Sequence, residues 1–307
     1  MTKPSFLVAE PVAAALAAGE PVVALETTLV THGLPHPRGL ITAQALETAV
    51  REHHATPATI GILDGAIRVG LTESELERLA ASDAVKVNLG NLAAVVAAGR
   101  AGSTTVAATA WAAARAGIRV FATGGIGGVH RDAPESGDVS ADIPALARLP
   151  IAVVCAGAKA ILDLPRTREL LETLGVPVLG LGTDDFPAFY RRSSGLAVDA
   201  RCDTPAEVAA AIATHALLEL PGGMIVANPI PAEHELAADL HDAALVMALT
   251  DAAAAGIRGR GVTPFLLDRM RVLTGEASLR ANEALLRHNA AMAAEIARAL
   301  LAALRPR

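Results

Sequence analysis

The tightest constraint on the fold lies between Val120 and Pro165. There two short, uninterrupted apolar runs, Val120–Ala122 and Ile151–Cys155, each lead straight into small residues. Runs this short, with no polar alternation, suit strands covered on both faces of a sheet. Gly124-Gly125-Ile126-Gly127-Gly128 follows the first run, and its lack of side chains predicts close approach of backbone to a ligand. Ala156-Gly157-Ala158-Lys159 follows the second and sets one amine a few residues past a strand end. Ligands of open α/β sheets bind outside the carboxyl ends of strands, so His130, Asp138, Asp142 and Lys159 are predicted to face one crevice.

The rest of the chain fits the same class. A chain of 307 residues is long enough to bury about three quarters of its unfolded surface in one core. With 52% hydrophobic but only 2% aromatic residues, that core must be built from Ala, Val, Leu and Ile. A net charge of −6 with no basic stripe argues against a nucleic-acid partner. Cys155 and Cys202 are the only cysteines, and Cys155 sits in a strand core, so no disulfide framework is expected. Glu10-Pro11 interrupts the apolar Met1–Ala18 segment, which does not read as a signal peptide, and no uncharged run is long enough to span a bilayer. These features predict a cytoplasmic, three-layer α/β/α domain over residues 1–307 with a central mixed, largely parallel sheet.

Along the chain, helices are predicted at Phe6–Ala18, Leu40–His53, Thr167–Leu174, Thr204–Leu220, His234–Ala255 and Ser278–Leu304, the last carrying Asn282. Strands are predicted at Val22–Leu25, Thr59–Leu63, Ile67–Val69, Val85–Val87, Val178–Leu181 and Met224–Ala227. Asp64-Gly65 makes a hairpin turn, and Thr72 with Glu75 forms a capping box. Gly102-Ser103-Thr104-Thr105-Val106 opens a helix to Ala116, and its hydroxyls and free N–H groups suit either an anion site or ordinary capping. Ser140 and Asp142 could equally cap a helix over Ile143–Arg148. Residues 183–195 hold much of the scarce aromatic content, as a pocket wall or a subunit contact would.

The segments VALETTLVTHGLPHP, GGIGGVH, DVSAD, AVVCAGAKAILD, VTPFLLDRM and LTGEASLRANEALLRHNA, in this order, resemble the pseudouridine-5'-phosphate glycosidase family, also called indigoidine synthase A-like. The resemblance runs from Val22 to about Leu300. It implies reversible cleavage of the C–C glycosidic bond of pseudouridine 5'-phosphate to uracil and ribose 5-phosphate, by an imine between a lysine and ring-opened ribose. It implies Lys159 as nucleophile and Glu26 as general acid/base. Lys86, Thr105, Val106, His130, Ser140, Asp142 and Asn282 become substrate-binding candidates, and Asp138 the ligand of one Mn²⁺. A homotrimer is also implied. Asn88-Leu89-Gly90-Asn91 departs from the Ser/Arg-Arg-Asp type of sequence usual after the family's lysine.

Two other readings stay open on the residues alone. Gly-rich loops with Gly182-Thr183-Asp184-Asp185 suit a ribokinase-type sugar kinase, although no phosphate-loop pattern with its lysine is present. A sugar-phosphate-binding module, tied to pigment biosynthesis by the family's second name, would bind ligand without releasing uracil.

Overall fold

The computed structural model describes residues 5–304. Eleven strands form one sheet: β1 (Ser5–Val8), β2 (Val22–Leu25), β3 (Thr56–Leu63), β4 (Ala66–Val69), β5 (Val85–Val87), β6 (Gly102–Thr104), β7 (Val120–Ala122), β8 (Ala152–Cys155), β9 (Val178–Leu181), β10 (Ala200–Cys202) and β11 (Met224–Ala227). Their order is β1-β4-β3-β2-β7-β8-β11-β9-β10, with β6 also on β3 and β5 beyond it. Only the β3–β4 and β3–β6 pairings are antiparallel. Every residue of β2, β7, β8, β9 and β11 is buried. Strands hidden on both faces need helices on both faces, and that gives the three layers.

In one helical layer, Ala277–Ala303 lies across β2, β7 and β8 and packs on Arg38–Glu52 and Pro205–Leu217. A second group places Val106–Ala116 against β2, β3 and β4, with the short helix Asp142–Leu146 beside it. Alanine is abundant in both contact faces, among them Ala107, Ala110, Ala113, Ala290, Ala293 and Ala294. Small side chains let the helices lie close to the sheet, so aromatic bulk is not needed.

Four parallel neighbours, β2, β7, β8 and β11, end on the same edge. Glu26, Thr123, the loop to Lys159 and Asn228 follow those four ends directly. Asn289, on the long C-terminal helix, clasps this edge from above. Its Nδ2 donates to the Thr123 carbonyl at 2.8 Å, and its Oδ1 accepts from Asn228 Nδ2 at 2.9 Å. Both asparagines are buried, so replacing Asn289 by leucine would orphan two polar groups. The expected loss is about 2–6 kcal/mol at ~1–3 kcal/mol per orphaned group, read as a lower urea midpoint at unchanged slope.

Several local expectations need correction. Phe6–Ala18 is not one helix: Ser5–Val8 pairs in parallel with Ala66–Val69, and the helix is Glu10–Ala18. Pro11 sits in that helix's first turn, where its missing N–H costs nothing, so the residue marks a start. The first four residues of the Met1–Ala18 segment lie outside the described residues. The segment from Gly102 does not open directly as helix, because Gly102–Thr104 first pairs with β3 and β5. His234–Ala255 begins later, at Ala238, after a 3₁₀ turn Ala232–His234. A π-helical turn, Leu29–Gly33, precedes the proline-rich bend. Strands β1, β6 and β10 and helices Leu92–Ala97 and Val262–Leu273 were not separately expected. Both cysteines are free and buried. Among the described residues no helix is long and apolar enough to cross a membrane.

Candidate active site

The parallel strand ends open into a cavity of about 410 Å³. Its walls include all ten residues singled out from the sequence: Glu26, Lys86, Thr105, Val106, His130, Asp138, Ser140, Asp142, Lys159 and Asn282.

Glu26 follows β2 and is buried, and its carboxylate accepts a hydrogen bond from the Thr123 hydroxyl at the end of β7. Burial is the main effect on its acidity and pushes the carboxyl pKa up. Lys159 and the Thr123 hydrogen bond oppose that rise, Asp142 adds to it, and Lys86 opposes it weakly. Glu26 is therefore a carboxyl that holds its proton more tightly than a surface glutamate.

Lys159 is half-buried and does not begin a surface helix. Its amide donates to the Ile126 carbonyl at 3.1 Å, and its Nζ donates to the Gly125 carbonyl at 2.7 Å. The glycine loop after β7 thus holds the amine that follows β8. Lys86, on β5, has its pKa lowered by burial and then by the neighbouring Lys159 charge. A second amine in the same cavity thus adds to burial in disfavouring the charged form of Lys86.

Gly124, Gly125 and Gly127 line the cavity, and packing also demands glycine in this loop. A Cβ on Gly125 would lie 2.6 Å from the Phe189 ring, one on Gly127 2.2 Å from Ser140 Oγ, and one on Gly128 2.4 Å from Thr167 Oγ1. Gly127→Ala must displace Ser140 and crowd the Asp142 carboxylate that accepts the Gly127 N–H at 2.8 Å. A loss of about 1–3 kcal/mol is expected from such overpacking, measurable by chemical denaturation.

Asp142 does not cap its own helix. Oδ2 takes the Gly127 N–H, and Oδ1 takes the Ala107 N–H at 2.9 Å, in the first turn of helix Val106–Ala116. One carboxylate therefore ties the glycine loop to that helix's N-terminus. Ser140 Oγ accepts the Asp142 amide at 3.2 Å. Thr105 occupies the N-cap position of Val106–Ala116 without capping it; its Oγ1 is buried and lacks a protein partner. An orphaned hydroxyl beside a helix N-terminus, with Lys86 lining the same cavity, has the chemistry to suit an anion.

His130 is half-buried, and its backbone N–H donates to the Asp138 carbonyl at 3.1 Å. The Asp138 carboxylate has no ion pair or protein hydrogen bond among the described residues. The atypical Asn88–Asn91 turn is well knit: Asn91 Oδ1 accepts from the Asn88 amide at 2.9 Å, and Asn91 Nδ2 donates to the Lys86 carbonyl at 3.0 Å. Phe186, Phe189 and Tyr190 of the aromatic loop are all buried, and Phe189 forms part of the cavity wall. Sequence reasoning missed Thr123, His32 and Asn289, because a threonine after a strand, a histidine beside a proline-rich bend and an asparagine in a long helix have no distinctive spacing.

Residues 11–299 match the family model described as indigoidine synthase A like protein. The chain is 54% identical over 301 residues to the pseudouridine-5'-phosphate glycosidase of Methylobacterium nodulans, covering 98% of this chain and 89% of that protein. It is 52% identical over 297 residues to the pseudouridine-5'-phosphate glycosidase of Geobacillus kaustophilus, covering 96% and 99%. Among solved structures, the prealnumycin C-glycosynthase AlnA in complex with ribulose 5-phosphate superposes with a TM-score of 0.90 at 38% identity, covering 98% of each chain. An indigoidine synthase A-like protein from Thermotoga maritima gives 0.88 at 36% identity, covering 97% of each. Matched in this way over nearly its whole length, the chain belongs to the indigoidine synthase A-like family.

Proposed function

We propose that this chain is a pseudouridine-5'-phosphate glycosidase, cleaving the C–C bond between uracil C5 and C1' of the ribose to give uracil and ribose 5-phosphate. The observation that carries the reading is the pairing of one proton-retaining carboxyl, Glu26, with one amine, Lys159, in a single cavity beside an anion seat. The relatives named above bear that activity in their names, and the AlnA structure binds a pentose phosphate.

A carbon leaving group cannot depart as a stabilised anion the way an N-linked base does, so an electron sink has to be made at C1'. Glu26 gives its proton to the ring oxygen as the sugar opens. Lys159, as the free amine, bonds to C1' as the C1'–O4' pair goes to the protonated ring oxygen, and the proton that its nitrogen then sheds is the one C5 takes up. When uracil C5 takes a proton, the C5–C1' pair returns to the base and C1' is left as the iminium of Lys159. Water adds to that iminium, the nitrogen leaves, and ribose 5-phosphate is released, so that one water is consumed overall. Lys86, Thr105 and the Val106 N–H hold the phosphate, while His130, Ser140, Asp142 and Asn282 surround the sugar and base.

Asp138 fits a hard divalent cation such as Mn²⁺, because a lone, unpaired carboxylate leaves most of the coordination sphere to water. Among the described residues there is no group of three or more His, Cys, Asp or Glu that would form a closed protein cage. When bound, the ion would neutralise charge on substrate oxygens.

Mixing the purified chain with pseudouridine 5'-phosphate and Mn²⁺ is expected to produce the ultraviolet signal of free uracil, to lose it with chelator and to regain it on adding the metal back. Ligand binding with no uracil would instead leave a sugar-phosphate-binding module. The same reading includes a homotrimer working in the cytoplasm. Leu217 and Leu218, at 83% and 63% exposure, supply apolar surface for a subunit contact; light scattering checks the mass.

A further inference from the structure

His32 belongs to the π-helical turn Leu29–Gly33 that leaves the end of β2. Its Nδ1 lies 2.6 Å from Thr31 Oγ1, and that hydroxyl donates onward to Ser103 Oγ at 2.8 Å. A threonine hydroxyl has one proton. Having given it to Ser103, Thr31 can only accept from His32, so the histidine proton sits on Nδ1. Nε2 is left as a bare lone pair with no protein partner among the described residues. Burial, and then the Lys86 charge, lower the pKa of the ring, which keeps it neutral.

The surroundings of that lone pair are specific. A second cavity of about 250 Å³ adjoins the first, and the two share His32, Gly33, Leu34, Pro264, Leu267 and Asn282. The shared wall is thus an apolar slot whose polar side chains are an acceptor-only imidazole and one amide; beyond it the second cavity carries Thr31, Ser278 and Arg271, the last already paired with Asp268 and Glu276. The anion seat at Thr105 and Lys86 belongs to the first cavity alone. A flat, neutral ring carrying N–H and C=O groups on its edge suits this slot; a phosphate or an open pentose chain does not.

We propose that His32 is a specificity-determining residue whose Nε2 accepts one of the two N–H groups of the uracil ring. The inference rests on the glycosidase reading and deepens it by naming the base-recognition slot. Once the base covers this half-buried acceptor it must be satisfied, and that rejects a base lacking the matching donor far more strongly than apolar walls can.

The test uses the condensation direction, with Mn²⁺ and saturating ribose 5-phosphate. His32→Ala is expected to raise the KM for uracil about tenfold or more. Borohydride trapping of ribose 5-phosphate on Lys159 should stay at the wild-type yield, and His32→Gln, which retains an acceptor of similar reach, should recover most of the loss. Wild type is expected to reject either 1-methyluracil or 3-methyluracil, whichever blocks the nitrogen facing His32, and His32→Ala to lose that rejection. His32→Asn keeps a donor to Thr31 but is too short to present the second acceptor. It should behave as alanine does and serves if His32→Ala fails to fold. An unchanged uracil KM, or unchanged methyl discrimination, in a folded variant overturns the proposal. If wild type neither releases nor condenses uracil, the glycosidase reading fails and the proposal with it; that result differs visibly from an active wild type with an indifferent His32 variant.

Discussion

Lys159→Ala is expected to lower uracil release by about three orders of magnitude or more, since removing a covalent nucleophile eliminates the step the other groups serve. The fold should tolerate the change. The Nζ makes one hydrogen bond, to the Gly125 carbonyl, and the loop keeps its backbone link from the Lys159 amide to Ile126. Borohydride with ribose 5-phosphate should add a single pentose phosphate to wild type, mapped to the peptide containing Lys159, and nothing to the variant. Full turnover in Lys159→Ala, or a label on Lys86 instead, would refute the assigned imine. The half-buried second amine makes Lys86 the proper control, because it shares the cavity and repels Lys159.

The second large effect concerns Glu26. Glu26→Gln keeps the shape and can still accept from Thr123, but it has no proton to exchange, so kcat is expected to fall by about 10²–10⁴. The same substitution should act on stability in the opposite sense. Burial raises the carboxyl pKa above its ordinary value of 4.5, so the folded state binds this proton more tightly than the unfolded chain does. Glu26 therefore favours the folded state in acid, and that contribution is lost as the pH rises from about 4.5 through the raised folded pKa. Glu26→Gln should be more stable than wild type on the alkaline side, with the difference shrinking in acid. Paired urea titrations at several pH values read this directly. A constant difference across pH would show that Glu26 does not titrate in the folded protein.

How far the sequence reached depended on the kind of signal. Short apolar runs such as Ala152–Cys155 announce two-sided burial, and the capping box at Thr72 and Glu75 is local chemistry, so both read correctly. Ser5–Val8 was hidden because its three apolar residues, running into Glu10–Ala18, look helical until β4 offers them backbone partners. Gly102–Thr104 was hidden for the same reason, since its pairing with β3 and β5 is tertiary. The site followed the same rule. Glu26 and Lys159 stand where strands end and could be placed by that logic. The dual engagement of Asp142 with Ala107 and Gly127, and the proton chain from His32 through Thr31 to Ser103, depend on side chains far apart in sequence. The glycine loop shows the limit most plainly: its composition was legible, but the neighbours that demand it, Phe189, Ser140 and Thr167, were not.

The clasp of Asn289 onto Thr123 has a bearing on how the molecule comes into being. Glu26, Lys86, Asp138 and Lys159 all precede Asn289 in the chain and leave the ribosome before it. The clasp is therefore made only after all four side chains have been synthesised. A nascent chain can carry them while the strand ends are still unjoined, and Thr123 and Asn228 are tied together only once Asn289 has been added.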